Sequence, residues 1–70
     1  MKITDLRISR TYEGEHICTI PGGSMPTDEQ AKMYLGEEYR ERTVHKRIVL
    51  KVDGRYMVFP INKKFFKVQP

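Results

Sequence analysis

The segment Val52-Asp53-Gly54-Arg55 constrains this chain more than any other. Asp and Gly both tolerate positive φ, so the pair suits a two-residue type I′ turn, whose twist matches that of its flanking strands. Such a turn sets Leu50 opposite Met57 and Ile48 opposite Phe59. Side chains alternate with period two along a strand. Val44, Ile48, Leu50, Val52, Met57, Phe59 and Ile61 therefore share one face. Turn chemistry and hydrophobic pattern agree over residues 43–61, and that agreement identifies a hairpin.

In the same register Arg47 faces Pro60 as a non-hydrogen-bonded pair, so the missing N–H of Pro60 costs nothing on that side. The gap faces the opposite edge. A further strand over residues 65–68 pairs imperfectly there, with Phe66 opposite Ile61 and Val68 opposite Phe59, or sits elsewhere.

Seventy residues make one domain spanning 1–70, too short for a two-domain cleft or a large α/β barrel. A chain of this size buries only about 60% of its unfolded surface. With 39% hydrophobic residues the core is thin, and association is one way to reinforce it. Cys18 is the single cysteine, which excludes an internal disulfide and any Cys-rich metal motif. No apolar run reaches the roughly 18 residues of a membrane span. Met1-Lys2-Ile3-Thr4-Asp5 lacks the apolar stretch of a signal peptide, so a cytoplasmic protein without membrane contact is expected.

Ahead of the strong hairpin, residues 3–12 and 16–20 read as two strands around Glu13-Gly14-Glu15. A three-residue loop there would gather Leu6, Ile8, Tyr12, His16, Cys18 and Ile20 on one face. Pro21-Gly22-Gly23-Ser24 then breaks the strand. Thr27 with Gln30 three residues on forms a capping box, and Asp28 and Glu29 suit the positive end of a helix. Ala31, Leu35 and Tyr39 recur at i+4, while Gly36 is a candidate stop and residues 37–42 fit either a last turn or an extended lead-in. The fold expected is α+β, in the order β-β-α-β-β with a candidate fifth C-terminal strand. It is an antiparallel sheet or a small open barrel with one short helix.

Charge divides the chain. Residues 1–41 carry five basic groups against eight acids, net −3. Residues 42–70 carry eight basic groups against Asp53 alone, net +7, which together give the overall +4. Arg47, Val49 and Lys51, with His45, alternate with the core positions of one strand, and Tyr56 and Val58 do so on the next. Phe65 and Lys67 extend that face, with Lys63 and Lys64 at its rim. Cations track phosphates and aromatic rings stack unpaired bases. The favoured function is thus a non-enzymatic module binding nucleic acid, single-stranded for preference, through Arg47, Lys51, Tyr56, Lys63, Lys64, Phe65 and Lys67. The alternative is a protein-interaction module, a homodimer or a small regulator or inhibitor docking on a larger protein, centred on Val49, Tyr56 and Val58.

Other chemistry finds little footing. His16 and Cys18, two apart on a strand, splay too widely for a nucleophile–base pair, and a free Cys is normally a small buried hydrophobe. His16, Cys18 and His45 lack the paired spacings of a zinc site, so no metal or other cofactor is expected. Gly22-Gly23-Ser24 has no following Lys of the Walker type, and Asp28 and Glu29 would repel an anion at the helix start. No small-molecule substrate is evident. No RRM aromatic motif, KH loop or zinc finger is present, and the helix is too acidic to read a major groove.

Overall fold

The Asp53-Gly54 turn forms as its chemistry requires: Asp53 has φ 50° and Gly54 φ 78°. It joins β4 (Arg47–Val52) to β5 (Arg55–Pro60) with Leu50 opposite Met57, Ile48 opposite Phe59 and Arg47 opposite Pro60. The Ile61 N–H reaches the Lys46 carbonyl at 2.8 Å, extending the ladder one pair past Pro60 as the alternation demands. These elements belong to a computed structural model that describes residues 1–36 and 40–70.

The described residues also form β1 (Lys2–Asp5), β2 (Arg10–Glu13), β3 (Glu15–Ile20) and β6 (Phe66–Gln69). Between β3 and β4 lies a short helix, α1 (Asp28–Gln30), which continues as a π-helical turn (Ala31–Leu35). The strands make two antiparallel three-stranded sheets, ordered β2-β1-β6 and β3-β4-β5, and neither closes into a barrel. The expected α+β class holds, but with six strands among the described residues rather than four or five.

The N-terminal pairing differs from expectation. Residues 3–12 are not one strand, because the chain reverses after Asp5. The Asp5 carboxylate accepts the Arg7 N–H at 3.0 Å, the Ile8 N–H lies 3.3 Å from the Asp5 carbonyl, and Ser9 takes φ 52°. Such local side-chain capping of a turn competes with strand continuation. Leu6 and Ile8, expected on a buried face, are exposed in this turn. Gly14 does not close a hairpin either: it carries the chain from β2 in one sheet to β3 in the other. It exchanges hydrogen bonds with Met1 in the first sheet, while a Cβ there would collide with the Lys51 carbonyl oxygen in the second. Bent strands that change sheets use glycine for this reason.

The C-terminal strand sits elsewhere, as the Pro60 gap allowed. β6 pairs with β1, placing Phe66 opposite Asp5 and Val68 opposite Ile3. The main core lies between the sheets and comprises Ile3, Ile48, Leu50, Phe59, Ile61 and Phe66. Tyr12, Phe59 and Phe66 form an aromatic chain across it, with centroid separations of 5.2 and 6.2 Å. Val44 is not part of it. The chain there is held by the Pro21–Gly23 bend: the Gly23 N–H bonds the Thr43 carbonyl at 2.7 Å, and Gly22 abuts the Val44 carbonyl. β4 begins only at Arg47, and Val44 is 86% exposed.

The capping box forms, with Thr27 Oγ1 accepting the Gln30 N–H at 3.1 Å and Gln30 Oε1 accepting the Thr27 N–H at 3.0 Å. The π-helical turn ends at Gly36, where φ is 80°. Tyr39, the third member of the expected helical stripe, lies outside the described residues, as do Glu37 and Glu38. The helical segment covers the face of β3-β4-β5 opposite the main core. There Ile20, Ala31, Val49 and Pro26 are buried, and Tyr34 meets Tyr56 edge-on at 4.8 Å. The central strand of this sheet, β4, is therefore buried on both faces from Arg47 to Leu50.

Candidate functional site

The face expected to carry the ligand is divided by that helical segment. Arg47 is only 6% exposed, its Nη2 donates to the Glu41 carbonyl at 2.6 Å, and its Nε has no partner among the described residues. Val49 has no exposed surface, and Val58 opposite it is half-buried. Arg47 and Val49 were expected on an open outer face; both lie beneath residues 26–35 and the chain leading into β4. Val49 is a core residue and Val58 only half-buried, so the pair is not the centre of an open interface. Lys51 and Tyr56 stay at the rim, with Lys51 Nζ 5.7 Å from the Tyr56 ring centroid.

Lys63, Lys64, Phe65 and Lys67 stand apart from that rim, against the other sheet. Asn62 organises their turn: its Oδ1 accepts the Lys64 N–H at 3.0 Å, and its carbonyl accepts the Phe65 and Phe66 N–H groups at 2.9 Å. The turn leaves Lys63, Lys64 and Phe65 exposed, while alternation sends Phe66 into the core and Lys67 to the outer face. The Leu6 N–H donates to the Phe65 carbonyl at 2.7 Å, so the β1–β2 and β5–β6 turns form one continuous tip.

Arg7 binds this tip together. Its Nε and Nη2 donate to the two Asp5 carboxylate oxygens at 3.1 and 3.0 Å. Its guanidinium carbon stands 5.5 Å from the Phe65 ring centroid and 5.1 Å from that of Phe66. The side-chain hydrogen bonds from Arg7 hold the Asp5 carboxyl below the usual carboxylate range, against the opposing effect of burial, and the same pairing raises Arg7. Phe65 is thus a 40%-exposed ring braced by the paired Arg7, on a tip that also exposes Leu6 and Ile8. Arg10, Lys63, Lys64 and Lys67 make no ion pair among the described residues. Sequence reasoning missed Leu6, Arg7, Ile8 and Arg10. The Asp5-x-Arg7 spacing was the available signal, because Asp commonly caps a turn two residues on.

Next to the tip, a cleft of about 330 Å³ opens between the sheets, lined by Arg10, Tyr12, Val52, Asp53, Arg55 and Met57. Arg10 lies over the Tyr12 ring at 4.9 Å.

His16 and Cys18 do not share a face, because a bulge at Ile17 sets His16 opposite Leu50 and Cys18 opposite Val49. His16 Nε2 is 2.7 Å from Thr19 Oγ1, and burial pushes the Cys18 thiol up. His45 is exposed, far along the chain from either. Among the described residues, no three His, Cys, Asp or Glu side chains are grouped to hold a metal ion. No described helix is long and apolar enough to cross a membrane. Comparison with protein-family models, curated proteins and solved structures finds no significant match.

Proposed function

We propose that this protein is a non-enzymatic module that binds single-stranded nucleic acid across the tip formed by the β1–β2 and β5–β6 turns, in the cytoplasm. The observation that carries this reading is the exposed Phe65 ring, braced by Arg7 and flanked by Lys63, Lys64 and Lys67. A fixed ring gives a base a stacking surface, and neighbouring ammonium groups neutralise the phosphates on either side. Stacking of one base on an aromatic side chain contributes about 1–3 kcal/mol. Phe65→Ala should accordingly weaken binding of a labelled mixed-sequence oligonucleotide about 10-fold, read by fluorescence anisotropy. Lys63→Glu with Lys64→Glu should weaken it further and flatten its salt dependence, since each single-strand phosphate contact contributes a slope of about −0.7. Equal affinity for all three proteins would end this reading.

Leu6 and Ile8 favour a second reading, docking of a protein or a second copy of the chain on the same tip, because two aliphatic side chains add nothing to phosphate recognition. Sedimentation separates the two: self-association that Ile8→Lys abolishes, with no response to oligonucleotide, belongs to the second.

A further inference from the structure

We propose that the cleft between the sheets is a pocket for a single guanine nucleotide, the base held against Arg10 and Asp53 and the phosphate by Arg55. This rests on the nucleic-acid reading and adds to it a base preference at one position. Arg10 joins the two surfaces, because it follows the turn that carries Arg7 and also lines the cleft.

The walls suggest the ligand's chemistry. Tyr12 packs against Phe59 at 5.2 Å, and the Arg10 guanidinium carbon stands over Tyr12, 4.9 Å from its ring centroid. A guanidinium held in this way offers its other side to a base, and Arg planes stack bases as aromatic rings do. Val52 and Met57 add apolar lining against which a flat ring can pack. A volume of about 330 Å³ is at the small end of the ~300–1,000 Å³ typical of ligand sites, which suits one nucleotide and excludes a folded partner.

Charge narrows the choice further. The two arginines and Asp53 make no ion pairs among the described residues, so each is free to meet a ligand. Asp53 is fixed in the type I′ turn at φ 50°. An ionised carboxylate has two acceptor oxygens and no donor. Guanine alone among the common bases presents two adjacent N–H donors, on N1 and the exocyclic N2, to match them. Cytosine and adenine offer one amino group beside an acceptor, and uracil one imino group between two carbonyls. Arg55, two residues along the same turn, then meets the phosphate, where guanidinium binds as a planar fork.

Titration of the intact protein with GMP, CMP, AMP, UMP and inorganic phosphate tests this, followed by NMR of the Arg10 and Arg55 Nε–H groups and the Met57 methyl. Saturable shifts with GMP at least 10-fold tighter than with UMP are expected. Asp53→Asn should bring GMP and UMP to within about 2-fold of each other, while Arg55→Gln should weaken every nucleotide alike. Identical shifts with inorganic phosphate would reduce the cleft to an anion site and overturn the proposal, as would equal affinity for GMP and UMP, or no shifts at all. The two readings fail separately. Oligonucleotide binding that needs Phe65 but shows no guanine preference leaves the tip and removes the pocket. GMP binding by a protein indifferent to oligonucleotides leaves the pocket and removes the tip.

Discussion

Gly14 Cα lies directly against the Lys51 carbonyl, with no space between them for a side chain. The same residue exchanges both backbone hydrogen bonds with Met1 at 3.1 and 3.2 Å. One glycine thereby fastens the first sheet at the point where the chain enters the second. Gly14→Ala should lower stability by about 1–3 kcal/mol, the usual cost of forcing an extra carbon into a packed site. Urea unfolding would measure it. An unchanged midpoint would mean that the two sheets are not held this closely.

Two valines that the sequence pattern assigns to a single strand have opposite fates, and they yield a second prediction. Val49 is wholly buried beneath the helical segment, while Val44 is exposed. Val49→Lys would bury an unpaired charge, with a cost of about 3 kcal/mol or more, a large share of what so small a domain possesses. Val44→Lys should stay within about 0.5 kcal/mol of the parent. Circular dichroism during thermal unfolding would separate them. A folded, unchanged Val49→Lys protein would expose that face and reopen it as an interface.

These valines also mark the limit of what local pattern reveals. The register of the β4–β5 hairpin was legible from Arg47 to Pro60, because a two-residue turn and strict alternation are local and mutually reinforcing, whereas the expected extension back to Thr43 was not formed. Which face of that hairpin stays open was not legible. Alternation distinguishes two faces but does not report that the upstream helical segment over residues 28–35 will cover the more polar one. Arg47 looked like a surface cation for the same reason. Gly14 looked like a hairpin turn because a corner between sheets and a tight turn draw on the same residue. The lysines at 63, 64 and 67 were correctly expected at the surface, but their neighbours came from a turn at Asp5 that reads as uninterrupted strand.

The Asp5–Arg7 pairing gives the stability a defined pH response. Because Arg7 holds the folded Asp5 carboxyl below its ordinary value, the carboxylate form favours folding. That contribution is complete from about pH 5 upward, where the unfolded carboxyl is almost fully ionised, and is lost as pH falls through the lower folded value. Asp5→Asn should therefore be less stable than the parent at pH 7 and approach it at pH 2. Urea midpoints at both values would check this. A constant difference between the proteins would show that the loss is one of packing, unrelated to the carboxylate's charge.

Arg47 separates burial from function most sharply. Its side chain is buried on the face covered by the helical segment, bonded to the Glu41 carbonyl and with Nε unpartnered among the described residues. Desolvating such a cation is costly, and replacing buried ionic groups with apolar side chains of similar size is often neutral or stabilising. Met matches the length of the Arg stem and adapts to irregular space. Arg47→Met should remain within about 1 kcal/mol of the parent or exceed it, with oligonucleotide affinity unchanged because the guanidinium does not reach the tip. Arg47→Glu should lose about 3 kcal/mol or more by placing a carboxylate beside the Glu41 carbonyl oxygen. Lys51→Glu, exposed on the same strand, should leave stability within about 0.5 kcal/mol. Chemical denaturation and anisotropy on the three variants decide the matter. If Arg47→Met folded normally but bound oligonucleotide several-fold more weakly, Arg47 would have to reach solvent, and the ligand would lie on the β4–β5 face after all.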